Sequence, residues 1–211
     1  MEQIVPMKIV HGEAKAWELL AALDPEEVCR NAAVSYDNER AVYTVRSFGM
    51  EVEVSPADKT ITTSSPHRDL VLGKLKDYAR LSVLWYLVNA KDIPLTERLI
   101  KPVDIKGGQR FSAGTHLLPL DRIAEKYGTD KEGFLRRGRE FGAERLAYGD
   151  VSLRLFPVPR VPVTLILWLE DEEYPPRVDL LLDSTCNHQI ASSDIIWAMA
   201  LTSTLVMLLE G

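Results

Sequence analysis

The sequence is poor in cysteine, with only Cys29 and Cys186 among its 211 residues. An iron–sulfur cluster needs about four cysteine thiolates, so we expect no protein-ligated iron–sulfur cluster on this chain alone. Two cysteines so far apart in sequence also do not form a disulfide framework. Residues 1–6 lack the basic and apolar regions of a signal peptide, and these features together predict a cytoplasmic protein.

The sequence also lacks an excess of positive charge and a long hydrophobic run. It has 25 Lys and Arg against 31 Asp and Glu, which gives a formal net charge of −6. Nucleic-acid binding needs basic residues clustered on one face, so we expect no nucleic-acid partner. The longest uncharged apolar stretch, residues 195–209, is shorter than the ~20 residues that span a bilayer. It predicts a buried helix or a contact with another protein or a second copy of the chain, and no membrane span.

Familiar catalytic motifs are missing as well. The sequence contains no G-x-S-x-G, G-x-x-x-x-G-K-[ST] or H-E-x-x-H motif, and no G-x-G-x-x-G that follows a strand. These motifs build nucleophile elbows, phosphate loops, zinc sites and dinucleotide-binding turns. The commonest enzyme classes therefore lose support, and whether the chain is an enzyme stays open at this point.

The first third of the chain predicts two short helices and an antiparallel meander within residues 12–64. In the meander, Val52 and Val54 alternate with Glu51 and Glu53. Strict alternation of apolar and polar side chains is typical of a strand with one face in water.

The rest of the chain predicts helices and a second group of strands. Apolar residues recur at steps of three and four over residues 68–91, which predicts a central helix. Residues 151–210 predict strands followed by a last helix. We expect an α+β fold, with an antiparallel meander, a C-terminal β-hairpin and helices packed on the sheet, in a single domain over residues 1–211.

The two C-terminal strands are joined by residues 170–176, which are too few for the crossover that parallel pairing requires. The pair is therefore predicted to be an antiparallel hairpin. At about 3.3 Å per residue, a strand of roughly seven residues separates the two ends of the hairpin by about 20 Å. Asp171 and Glu172 then lie at the tip and Asp183 at the far end, so one metal ion cannot take ligands from both groups.

Each end of this hairpin carries candidate metal ligands. Asp183, Cys186 and His188 fall within six residues, but a structural zinc site usually takes four ligands from two separate segments. The alternative is that Asp183 pairs with Arg160 or caps the turn before the last helix.

At the tip, Asp171 and Glu172 are candidate ligands for a hard cation such as Mg²⁺. The alternative is a hairpin tip that the charges of these two residues merely keep solvated.

A third candidate site lies in the loop of residues 104–118. Gly107 and Gly108 offer backbone N–H groups and Arg110 offers a guanidinium to an anionic cofactor or ligand, while His116 is a candidate base. The alternatives are an ordinary glycine turn and a packed histidine. This segment predicts a small-molecule pocket.

Several short motifs resemble those of a known family. They are Phe156 with Pro157, Val161 with Pro162, residues 171–175 (Asp-Glu-Glu-Tyr-Pro) and residues 182–184 (Leu-Asp-Ser). Together they resemble the signature of an uncharacterised prokaryotic family, domain of unknown function 3786. Residues 84–87 (Leu-Trp-Tyr-Leu) and the loop from Gly107 to Phe111 are similar to its earlier landmarks. The resemblance covers approximately residues 15–210.

The resemblance implies an accessory role. Members of the family are typical of anaerobic bacteria and archaea, and some are fused to an iron–sulfur domain of the kind seen in corrinoid proteins of one-carbon metabolism. With two cysteines in this sequence, any cluster would sit on a partner. The first hypothesis is therefore an accessory or interaction domain, with a metal-binding domain or metal-assisted enzyme using Asp183 and His188, or a pocket at residues 104–118, as alternatives.

Overall fold

The protein is represented by a computed structural model, which describes residues 10–112 and 116–210. The helices are α1 (Val10–Ala22), α2 (Pro25–Ala32), α3 (Lys76–Asn89), α4 (Leu120–Tyr127), α5 (Lys131–Glu140), α6 (Cys186–Gln189) and α7 (Ser193–Leu208). The strands are β1 (Ser35–Asp37), β2 (Val42–Ser47), β3 (Met50–Ser55), β4 (Thr60–Thr62), β5 (Leu99–Ile100), β6 (Glu144–Leu146), β7 (Val151–Leu155), β8 (Val163–Trp168) and β9 (Arg177–Asp183). Helices and antiparallel strands occur together, which confirms the predicted α+β fold.

The first sheet is the predicted meander, with strand order β1-β2-β3-β4 and antiparallel pairing throughout. Its alternation follows the sequence: Val45 and Val52 are buried opposite each other, whereas Arg46 and Glu51 are exposed opposite each other. The turn between β2 and β3 reaches the second sheet, because the Phe48 N–H donates to the Phe156 carbonyl at 2.7 Å.

The second sheet has five antiparallel strands in the order β5-β9-β8-β7-β6. Strands β8 and β9 form the predicted C-terminal hairpin, with Trp168 opposite Arg177 next to its tip and Val163 opposite Leu182 at its base. Strand β7 pairs with β8, and the short outer strands β5 and β6, which the sequence pattern did not predict, pair with β9 and β7.

The predicted central helix, residues 68–91, is divided in two. A π-helix over Asp69–Lys74 precedes α3, and the Leu75 N–H donates to the Leu70 carbonyl five residues earlier. Gly73 lies inside the π-helix, and glycine has a low helix propensity in general. Helix α3 begins after this interruption and ends at Asn89.

Helix α7 is enclosed by the rest of the chain. Every residue from Ile195 to Met207 is buried, and the helix packs on α3, α4, α5 and β8. The buried hydrophobic side chains form one continuous cluster that includes α7. The alternative that residues 195–209 contact a partner or a second copy is therefore not supported, because the rest of this chain already buries residues 195–207. In the described ranges, no helix combines the length and the apolar character needed to cross a membrane.

Candidate functional site

The two faces of the second sheet differ in chemistry. Leu153, Leu165 and Leu180 lie side by side on one face and belong to the hydrophobic core. On the opposite face, here called the outer face, polar side chains lie beside Ile166 and Leu181. The polar residues of β7 to β9 that are buried on this face are Ser152, Arg154, Thr164 and Asp183. Buried polar groups need hydrogen-bond partners, and the contacts of these four residues therefore define the chemistry of the outer face.

Asp183 lies at the end of β9 and is only 3% exposed. Its carboxylate accepts hydrogen bonds from the Thr185 N–H (2.9 Å) and hydroxyl (2.7 Å) and from the Thr96 N–H and hydroxyl (both 3.1 Å). A fifth comes from the Glu97 N–H at 2.9 Å. Burial alone would raise the pKa of Asp183, but the hydrogen bonds from Thr185 and Thr96 outweigh it and lower the pKa. Asp183 therefore stays ionised and anchors the segment before β5.

That anchored segment holds Glu97 in an uncommon conformation. Its φ is +60°, in the left-handed region that side chains other than glycine rarely adopt. Such a conformation costs free energy and persists only where the surroundings impose it, which is often at functional sites. In this conformation the Glu97 N–H donates to Asp183, and the Glu97 carboxylate contacts Arg154.

Arg154, on β7, is the cationic centre of the outer face. Its Nη1 donates to Glu97 Oε1 at 3.1 Å and its Nη2 donates to Glu97 Oε2, so the pair is bidentate. A second carboxylate, that of Glu144, lies 3.8 Å from Nη1. The hydrogen bonds to Glu97 raise the pKa of Arg154, which fixes a permanent positive charge on a residue that is 8% exposed.

Two polar atoms beside this ion pair are unsatisfied. Among the residues that the structure describes, four buried side-chain polar atoms lack a hydrogen-bond partner: Arg154 Nε and Thr164 Oγ1 here, and Ser82 Oγ and Arg160 Nε elsewhere. Arg154 and Thr164 lie directly opposite each other on β7 and β8. Each unpaired buried group costs about 1–3 kcal/mol, so two of them on neighbouring strands mark the place where an acceptor would be stabilised.

The Arg154 guanidinium has the donors that bind anions, and two carboxylates, those of Glu97 and Glu144, already lie against it. A guanidinium offers five donors and no acceptor, and its planar fork matches carboxylates and phosphates. Arg154 already shows this mode of binding with Glu97. We call the residues Thr96, Glu97, Arg154, Thr164 and Asp183 the arginine site.

Of the residues in the arginine site, only Asp183 was predicted from the sequence as a candidate. Asp183 accepts from Thr185 in the turn before α6 and not in a turn before the last helix, α7, while Arg160 pairs with Asp92 at 2.5 Å instead of with Asp183. Arg154 and Glu97 are 57 residues apart in sequence, and an arginine in an alternating strand is unremarkable. No sequence signal could have found this pair.

The other proposed metal ligands are placed differently. Cys186 is buried, and burial raises the pKa of its thiol to about 11, whereas zinc binds the thiolate. His188 is exposed on α6. Across residues 10–112 and 116–210, no three His, Cys, Asp or Glu side chains group closely enough to hold a metal ion.

At the hairpin tip, Asp171 and Glu172 are both exposed. The Asp171 carboxylate accepts hydrogen bonds from the Glu173 and Tyr174 N–H groups at 2.8 and 2.7 Å. One carboxylate is thus used to shape the turn. The tip and Asp183 lie at opposite ends of the hairpin, as predicted.

The glycine pair of the third candidate site serves a tight turn. Gly107 has φ +81°, and a Cβ on Gly108 would lie 1.8 Å from the Pro102 carbonyl oxygen. The His116 ring packs on Trp197 with centroids 4.8 Å apart, and the His116 carbonyl accepts from the Trp197 indole at 2.7 Å. Residues 113–115 and the side chain of Arg110 lie outside the described part, so a pocket at residues 104–118 stays a prediction.

A surface pocket that the sequence did not predict lies at the C-terminal end of α7. It has a volume of about 250 Å³ and is lined by Lys126, Tyr127, Asp130, Gly133, Arg136, Arg137, Glu140 and Glu210. Several of these side chains are committed to the helix end, where carbonyls lack intrahelical partners. Tyr127 and Lys126 donate to the Met207 carbonyl at 2.6 and 3.3 Å, and Arg137 donates to the Val206 carbonyl at 2.8 Å. The side chains of Lys126, Tyr127 and Arg137 that line this pocket therefore stabilise the C-terminal end of α7.

Comparison with known proteins gives a family but no characterised relative. Neither the curated proteins nor the solved structures contain a match to this chain. The family model described as "Domain of unknown function (DUF3786)" matches residues 24–204. The matched range contains α2 to α6, most of α7 and the whole arginine site. The chain therefore belongs to the family of domain of unknown function 3786.

Proposed function

We propose that this chain is an accessory binding domain whose ligand is an anion held by Arg154. The observation that carries the proposal is the pair of buried polar atoms on neighbouring strands, Arg154 Nε and Thr164 Oγ1, that have no partner within the described residues. Folded proteins rarely leave buried donors unsatisfied. A ligand that accepts hydrogen bonds from both would offset the cost of burying them.

The charge of Arg154 favours an anion over a neutral acceptor. Hydrogen bonds to a charged group contribute more than those between neutral groups. The side chain is 10% exposed, so its charge is screened by solvent less than that of a surface arginine. Ligand binding at this residue requires no bound metal and no covalent step.

The test uses three small anions as probes: acetate, succinate and inorganic phosphate. The Arg154 Nε–H resonance is followed by NMR in the full chain during titration with each anion, and the thermal midpoint is measured in parallel. We expect a saturable shift of this resonance and a rise of the midpoint with at least one anion, because a ligand that binds only the folded state stabilises it. A titration in which no probe shifts this resonance would contradict the proposal.

Matched variants separate the site from unspecific anion effects. Arg154→Met keeps an unbranched but shorter side chain and removes the donors, and Arg46→Met makes the same change at an exposed arginine on β2. We expect the anion-induced rise of the thermal midpoint to disappear in Arg154→Met and to persist in Arg46→Met. Equal responses of the two variants would refute binding at Arg154.

We further propose that the ligand is presented by a partner in the one-carbon metabolism of anaerobes. This rests on the resemblance to family members that are fused to an iron–sulfur domain. The experiment is an anaerobic pull-down from the native host with the wild-type chain and with Arg154→Met. A corrinoid or iron–sulfur protein retained by the wild type and lost with the variant is expected, and equal recovery with both would contradict this role of Arg154.

A further inference from the structure

We infer that the ligand of the arginine site is a carboxylate, and that the Glu97 side chain is its internal mimic, which the ligand displaces. This inference rests on the proposed anion binding at Arg154. It adds the chemical class of the ligand and a built-in competitor that regulates access to the site.

The contact between Glu97 and Arg154 identifies the ligand class. Both carboxylate oxygens are bound by separate guanidinium nitrogens, which is the two-point geometry that a planar carboxylate gives with arginine. The guanidinium is thus already shaped around a carboxylate. A free carboxylate that takes Arg154 Nη2 from Glu97 would also accept from Nε, which Glu97 leaves without a partner.

The exposure of the two side chains shows which partner can leave. The Glu97 side chain is 60% exposed, whereas that of Arg154 is 10% exposed. Rotation of Glu97 moves a carboxylate that water already reaches, whereas rotation of Arg154 would disturb the buried outer face. Exchange therefore proceeds by departure of Glu97, and the cation stays in place to receive the ligand.

The backbone of this segment stays fixed during the exchange. Thr96 and Glu97 are held through their N–H groups by the Asp183 carboxylate, and those hydrogen bonds do not involve the Glu97 side chain. Only side-chain torsions of Glu97 have to change. The left-handed backbone at Glu97 keeps its carboxylate next to the guanidinium, where it competes at high effective concentration.

Two substitutions of Glu97 test the competition. Glu97→Gln is isosteric and uncharged. Glu97→Asn is too short to reach Arg154 in the same way, and asparagine tolerates a positive φ. If Glu97 occupies the guanidinium about nine-tenths of the time, removing it raises apparent affinity about tenfold. We expect both variants to bind acetate about tenfold more tightly than the wild type, as measured by titration of the Arg154 Nε–H resonance.

The control is Glu53→Gln, which removes the carboxylate of the bidentate pair between Arg40 and Glu53 on the first sheet. Acetate affinity at Arg154 should not change in this variant. Equal acetate affinity in wild type, Glu97→Gln and Glu97→Asn would overturn the competition while leaving anion binding intact. Tighter binding of phosphate than of acetate in both Glu97 variants would overturn the carboxylate assignment. Absence of binding in every variant would instead refute the proposed function.

Discussion

Gly49 and Gly142 pack backbone against backbone, so closely that a Cβ on Gly142 would lie 2.7 Å from the Gly49 Cα. Gly49 lies in the turn between β2 and β3, and Gly142 lies just after α5. Both have a positive φ, +73° and +64°. The contact joins the first sheet to the chain that leads into the second sheet, at a distance that only glycine allows on both sides.

The first prediction concerns this contact. Gly142→Ala places a methyl group against the Gly49 backbone and forces alanine into a left-handed conformation, which alone costs about 1–2 kcal/mol. We expect the free energy of unfolding to fall by about 2–4 kcal/mol in urea denaturation. Gly73→Ala is the control, because the nearest atom to its Cβ is 4.0 Å away. A loss in Gly142→Ala no larger than in the control would contradict the close packing.

The second prediction concerns the end of α7. Arg137 donates to the Val206 and Leu209 carbonyls and to Glu140, whereas its neighbour Arg136 is exposed. Arg137→Met should lower the free energy of unfolding by about 1–3 kcal/mol, because buried carbonyls lose charged donors. Arg136→Met should change it by less than about 0.5 kcal/mol. Thermal unfolding of both variants compares them, and equal midpoints would disprove the role of Arg137.

The third prediction is a pH dependence that arises from Asp183. Its pKa is lowered in the folded protein, while an unfolded aspartate titrates near 3.9. Its contribution to stability is therefore fully present above about pH 5 and declines as the pH falls through 4 and below. We expect the stability difference between wild type and Asp183→Asn to be largest near neutral pH and to shrink in acid. Denaturant titrations at several pH values measure this difference.

The control for that experiment is Asp121→Asn, at an exposed position in α4. We expect it to change the free energy of unfolding by less than about 0.5 kcal/mol at every pH tested. If the difference in the free energy of unfolding between Asp183→Asn and wild type were constant from pH 7 to pH 3, the charge of Asp183 would not contribute to stability as described.

The fourth prediction concerns the two thiols. Cys186 is buried and its pKa is raised to about 11 by burial, whereas Cys29 is partly exposed. Alkylation requires an accessible thiolate. At pH 8, iodoacetamide should modify Cys29 in the folded protein well before Cys186, and both at similar rates in denaturant, as followed by peptide mass spectrometry. Cys29→Ser should remain nearly unmodified when folded, and fast labelling of that variant would contradict the burial of Cys186.

Local patterns were sufficient to predict most of the elements. Alternation at residues 50–54 gave the meander, and the short connection at residues 170–176 required an antiparallel hairpin. Strands β5 and β6 were not predicted because two or three residues are too few to show an alternating pattern. Strand β5 is defined by its pairing with β9, Leu99 with Asp183 and Ile100 with Leu182. The organisation of the chain as a single domain stays a prediction.

The arginine site was predictable only in part, because most of its contacts join residues that are far apart in the sequence. Asp183 could be expected to cap a turn, since Thr185 is two residues away. Its other partners, Thr96 and Glu97, lie more than 80 residues earlier in the chain. The contact between Glu97 and Arg154 depends on a sheet that brings distant segments together, and no spacing of residue types encodes it.

The enclosure of α7 has a consequence for synthesis on the ribosome. The surfaces of α3, α4 and α5 that it covers are translated before residues 193–208. Until those residues emerge, the nascent polypeptide displays uncovered apolar side chains, the condition in which incomplete chains aggregate or recruit chaperones. Emergence of α7 from the ribosome therefore allows the apolar surfaces of α3, α4 and α5 to be covered.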